Sequence, residues 1–155
     1  MTNSTSLLKF GIGNANLGKA IHTFTLPSGY TCPGALACMT KADRKTGTIT
    51  DGKAQTFCCF AASMEARLTP LRAKGWHNLE LLKKHNTEQL ATDLIQASLP
   101  SSATIVRIHV GGDFFSGLLP RVALRCSGQS GREILCLHQK PAVLDCTAQF
   151  DSRQL

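Results

Sequence analysis

The chain has few aromatic residues: they make up 6% of its 155 residues, with one Trp and one Tyr among them. That is thin material for a surface that stacks successive bases of a single strand. Acids are scarce too, ten in all and only seven before Gly117. None of the seven is spaced to work with another, so neither a carboxylate pair nor a Ser/His/Asp set can be argued. No uncharged apolar run approaches the roughly 18 residues that a membrane-spanning helix needs. The opening MTNSTSLLKFG also lacks the basic start and long apolar core of an export signal. A cytoplasmic protein without membrane contact is expected.

What the chain does have is 43% hydrophobic and 17% charged residues, the balance of one ordinary domain. Seventeen Lys+Arg against ten Asp+Glu give a net charge of +7, which favours anionic partners without naming one. Seven cysteines are an odd number in a chain with no export signal, where thiols stay reduced. Metal ligation or catalysis therefore outranks a disulfide framework.

In chain order, Lys9–Lys19 is rich in Gly and Asn and reads as a loop. Ala20–Leu26 holds β formers and reads as a short strand, followed by a turn-rich loop from Pro27 to Cys38. Asp43–Thr56 has glycines and charges without periodicity. A helix is expected from about Cys59 until Pro70 breaks or restarts it, then an apolar stripe of Trp76, Leu79 and Leu82. Asn86, with Gln89 three residues on, is expected to cap a third helix that carries Leu90, Leu94 and Ile95 before Leu99-Pro100 ends it. Thr104–Val110 is the clearest strand and runs into Gly111-Gly112-Asp113. Strand, loop, helices, strand and Gly-rich turn is the order of a βαβ unit with parallel pairing.

The pieces FGIGNANLGK, TCPGALAC, KADRKTGTITDG, CFAASMEAR, WHN, LIQASLP and RIHVGGDFFS occur in this order between Lys9 and Ser116. In them the chain resembles the phage and prophage gene product 88 family. The resemblance implies a protein of a bacterial host but supplies no activity. From Gly117 the chain has no clean period of either kind. Reading the codon sets of Gly117–Gln154 one base further on permits an aromatic-rich continuation similar to the family's own. The expected organisation is a family-like α/β part over residues 1–116 and a frameshifted tail over 117–155. Cys126, Cys136, His138, Asp145 and Cys146 in that tail are accordingly left out of the chemistry.

Three constellations carry possible chemistry. The first is Cys32, Cys38 and Cys59, because thiolates are soft ligands for iron–sulfur clusters or zinc and loops let several sulfurs converge. Five and then twenty intervening residues match no standard metal signature. Three thiolates would leave one iron of a cluster open to another ligand. Cys58 is read as a bystander. The second is Gly111, Gly112 and Asp113 with His109 before them, at the carboxyl end of a strand where α/β folds bind ligands. Together these two are similar in layout to radical S-adenosylmethionine enzymes, down to the Cys59-Phe60-Ala61 step. The cysteines here are farther apart, and the acid of the turn is Asp rather than Glu. The third, Gly13–Ala20, resembles a phosphate-binding loop but lacks the hydroxyl after Lys19 that would hold magnesium.

The fold expected is α/β: the N-terminal part of a parallel-sheet, (β/α) barrel-like domain, truncated and incomplete. The expected function is iron–sulfur cluster binding through Cys32, Cys38 and Cys59, with S-adenosylmethionine as a second cofactor. The alternative is a zinc-stabilised nucleic-acid-binding module that uses Lys41, Arg44, Lys45 and Lys53 around the cysteine loop and Arg67, Arg72, Lys74, Lys83 and Lys84 on the helices.

Overall fold

Pro70 falls in the first turn of a helix rather than inside one, where its missing N–H costs nothing, and this placement separates the first two helices. The computed structural model describes residues 6–13, 20–33, 35, 38–53, 59–108, 110–113, 115–116 and 121–122, and the backbone of 133–136. Helix α1 spans Phe60–Arg67, α2 Thr69–Lys84 and α3 Glu88–Ser98. Arg67 ends α1, and Lys83 and Lys84 end α2, where cations complement the helix dipole. Thr87, not Asn86, caps α3: its hydroxyl accepts from the Leu90 amide at 3.3 Å, with Glu88 in the first turn. Leu90, expected on the apolar face with Leu94, stands outward at 47% exposure, while Ala91 and Leu94 face the core.

The strands are β1 Gly11–Ile12, β2 Ile21–Thr23, β3 Lys41–Ala42, β4 Ile49–Thr50, β5 Ile105–Ile108 and β6 Glu133–Cys136. Four of them form a sheet in the order β1-β2-β5-β6. β2 lies parallel to β5, with His22 opposite Val106, and β5 parallel to β6, with Val106 opposite Ile134; β1 is antiparallel to β2. The three helices form the crossover from β2 to β5 that a parallel pair requires. β6 comes from beyond Ser116. Among the described residues the strands make this open sheet and the separate β3–β4 hairpin, a mixed α/β arrangement without a closed barrel.

β5 alternates as its β-branched sequence requires, with Val106 and Ile108 buried and Ile105 and Arg107 less so. Ala103, Val106 and Ile108 form one buried cluster and Leu8, Leu26, Leu79, Leu81, Leu82 and Leu94 another; Phe10 and Phe24 pack against both, Leu99 against the first and Trp76, Ile95 and Phe115 against the second. Two polar side chains stitch the layers. Asn78, fully buried in α2, accepts from the Lys9 amide at 2.8 Å and donates to the Lys9 and Thr25 carbonyls at 2.9 and 3.2 Å. Arg72, 4% exposed, donates to the Glu65 and Ala66 carbonyls at the end of α1 and to the Arg44 and Lys45 carbonyls of the hairpin. The hairpin turn is held by Asp43, which accepts from the Lys45 and Thr46 amides, and by Gly47 at φ 78°. Among the described residues no helix is long and apolar enough to cross a membrane.

Candidate functional site

The loop after β2 and the turn after β5 leave the sheet at the same end, the carboxyl end of the parallel strands. Backbone bonds continue the pairing past the strands. Val110 N–H donates to the Phe24 carbonyl at 3.4 Å, Leu26 N–H to Gly111 at 2.9 Å and Asp113 N–H to Thr31 at 2.8 Å. The approach is close enough to require glycine. A Cβ on Gly111 would stand 2.7 Å from Thr25 Oγ1 and 3.0 Å from Glu65 Oε1; one on Gly112, at φ 75°, would collide with Thr31 and Leu26. Gly111, Gly112 and Asp113 are thereby set directly against the cysteine loop.

That loop folds on itself. Thr31 Oγ1 donates to the Pro27 carbonyl at 2.9 Å, and the Gly29 amide donates to Cys32 Sγ at 3.3 Å. Cys38 is buried, and its thiol donates to Thr40 Oγ1 at 3.6 Å. Cys59 is the N-cap residue of α1, in extended backbone; its side chain closes no cap bond, yet the Ala62 and Ala61 amides favour its thiolate. Burial outweighs them and raises the Cys59 pKa, and a side-chain hydrogen bond with Cys38 raises it further. Burial likewise pushes the Cys32 thiol up to about 11; the Gly29 amide opposes this, while the neighbouring Asp113, Cys59 and Cys38 add to it.

Cys32, Cys38, Cys59 and Asp113 thus share one electrostatic neighbourhood, although Cys38 and Cys59 are separated by the whole β3–β4 hairpin. As the side chains stand, no group of three His, Cys, Asp or Glu among the described residues is close enough to hold a metal ion. His109 and Cys58 lie outside the described residues, as do Asn14–Lys19 of the loop resembling a phosphate binder. The described histidines serve the fold: His77 Nε2 meets the Leu7 carbonyl and His85 Nδ1 the Leu81 carbonyl, each at 2.8 Å, and His22 is buried in β2 beside Ser102.

The basic residues divide. Arg72 is taken up inside the fold and is not available to a phosphate backbone. Arg44 pairs with Glu80 and lies over the Trp76 ring, 5.2 Å from its centroid, while Lys41 lies 5.0 Å from the centroid of Tyr30. Tyr30 and Trp76 meet edge to face. One residue of the site was not singled out from the sequence. Glu65, 2% exposed on α1, accepts from the Ser28 amide at 3.0 Å and the Ser28 hydroxyl at 2.7 Å. An acid among helix formers reads as a solvated face, and only its partners in space reveal otherwise.

The model of the gene product 88 family matches residues 4–128. No curated protein and no solved structure is a match to the chain.

Proposed function

The chain thus belongs to the gene product 88 family, and from that premise we propose that it binds an iron–sulfur cluster through Cys32, Cys38 and Cys59. The observation that supports the reading is that Cys32 and Cys38 on the loop after β2 and Cys59 at the start of α1 stand near enough to act on one another electrostatically. Soft thiolates from loops are the donor set such clusters use. Metal would displace the thiol protons that burial retains, and the side chains would close from their present spacing around it. Gly111, Gly112 and Asp113, bonded to the cysteine loop through the Asp113 amide and the Thr31 carbonyl, and with them His109, are the residues that would meet S-adenosylmethionine in this reading.

The barrel-like reading belongs to the same proposal: β2, β5 and β6 are consecutive parallel strands, as the start of a (β/α) barrel would be. So does a shifted reading frame from about Gly117. Resequencing independent isolates tests the frame, and the tail encoded intact in all of them contradicts it.

Anaerobic purification followed by iron, sulfide and zinc analysis tests the cofactor. The expected result is a brown protein absorbing near ~400 nm that contains iron and sulfide. Zinc without colour, together with salt-dependent retention of oligonucleotides, would support the zinc-stabilised nucleic-acid-binding module instead. Lys41 and Arg44 beside the cysteine loop are what favour that second reading.

A further inference from the structure

One carboxylate links two of the elements that bear candidate ligands and is closely approached by a third. Glu65 Oε1 accepts both the amide and the hydroxyl of Ser28, the residue that opens the turn whose Gly29 amide points at Cys32 Sγ. Glu65 itself is part of α1, the helix that Cys59 begins. The turn with Gly111 comes so close that any side chain there would press on the same oxygen, at 3.0 Å.

We infer that Glu65 is the positioning residue of the cysteine site, holding the Ser28–Cys32 turn to α1, the helix that Cys59 begins, through its hydrogen bonds to Ser28, with the Gly111–Asp113 turn packed close against it. The inference rests on the proposed metal-binding role of the cysteines but concerns a different residue. Packing alone does not account for an acid here. Burying a carboxyl is unfavourable unless it is well satisfied, yet Oε2 has no hydrogen-bond partner, and burial holds the group above its ordinary pKa. Arg72, also buried, spends its donors on carbonyls and on Thr69, including the carbonyl of Glu65 itself, and does not reach the carboxylate with a hydrogen bond. A leucine would fill similar space without this penalty. What leucine lacks is an acceptor for the two Ser28 donors, and those donors belong to the loop that carries Cys32.

The experiment uses the full chain and four variants: Glu65→Gln, Glu65→Leu, Ser28→Ala and, as a control, Thr87→Ala, which weakens the cap of α3 far from the site. Two readouts are taken well below each melting point: the rate at which iodoacetamide alkylates Cys32 in the metal-free protein, mapped by mass spectrometry, and zinc affinity by competition with a chromophoric chelator. Glu65→Gln keeps an oxygen acceptor for Ser28 and should stay within about threefold of the parent on both. Glu65→Leu should speed Cys32 alkylation about tenfold and weaken zinc about 10- to 100-fold, with Ser28→Ala moving the same way and Thr87→Ala moving neither. Where Glu65→Leu fails to fold, Ser28→Ala decides.

Parent-like alkylation in Glu65→Leu or Ser28→Ala overturns the inference, and so does a Glu65→Gln variant as impaired as the leucine. If the parent binds no zinc while alkylation follows the expected order, the positioning role stands and the zinc-stabilised alternative falls. If zinc binds but alkylation is indifferent to these variants, the positioning role falls while the cysteines keep a metal-binding capacity.

Discussion

Cys32 sits between opposing influences, and burial wins: its thiol is pushed up to about 11 although the Gly29 amide favours the thiolate. The metal-free thiol is therefore protonated at neutral pH. Its alkylation rate should climb about tenfold per pH unit from neutrality with no plateau until near 11, since the thiolate is the nucleophile. A plateau near the ordinary thiol value of about 8.5 would contradict this placement. Glu65 makes the opposite kind of statement, about stability. Burial raises its pKa, against the Ser28 bonds and Arg72. A carboxyl with a folded pKa above its unfolded one contributes stability that is present below the ordinary value of 4.5 and lost as pH rises through the folded value. Urea unfolding from about pH 4 to about pH 8 should show the parent losing stability relative to Glu65→Gln; a parent that strengthens relative to the variant over that range refutes the sign. The cysteines drew attention in the sequence by their number and by the Pro- and Gly-bearing loop that carries two of them. Glu65 and Arg72 were not, since a charged residue on a helix is read as solvated until its neighbours in space are known.

At the scale of elements, α2 is joined to the N-terminal segment and to the start of the site loop by Asn78. Asn78→Leu would leave the Lys9 amide and the Lys9 and Thr25 carbonyls without their partner in a dry interior. The variant should lose about 3 kcal/mol of stability, measurable as a drop in the urea midpoint, whereas a loss below about 1 kcal/mol would mean that water or a shifted backbone replaces the amide. Gly112 sets the turn after β5. Gly112→Ala requires a left-handed backbone at φ 75° and meets Thr31 and Leu26, so it should cost about 2 kcal/mol or more and disturb the Asp113–Thr31 bond; a neutral effect would show that the turn can relax. The long elements were readable. β5, the helix starting at Phe60, the stripe of Leu79 and Leu82 and the restart at Pro70 all follow from period and capping chemistry. The β3–β4 hairpin was not, because strands of two residues are too short to display alternation. Its turn is fixed by Asp43 and Arg72, partners supplied in part from α2. Asn86 and Thr87 are both good caps, and sequence alone does not choose between neighbours of equal chemistry.

At the scale of the molecule, the described residues form a βαβ unit extended by β6 on one side and β1 on the other, with the hairpin set beside α1. This order explains how the cysteine loop and the start of α1, far apart in sequence, become neighbours through Ser28 and Glu65. The β2 loop brings Cys32 and Cys38, the hairpin intervenes, and α1 begins at Cys59, so the crossover returns the chain to the end of the sheet from which it departed. Parallel pairing was legible from the alternation of element types, while the number of strands and the partner of β5 on its far side were not, because β6 lies where the sequence shows no period. The central claim is that three thiols serve one inorganic centre. It is tested most directly by measuring metal bound per chain, after anaerobic purification, in the parent and in Cys32→Ser, Cys38→Ser, Cys59→Ser and Cys58→Ser. The account predicts that each of the first three substitutions removes the metal and that Cys58→Ser retains it; a parent without metal, or any of the first three keeping its full complement, would contradict it.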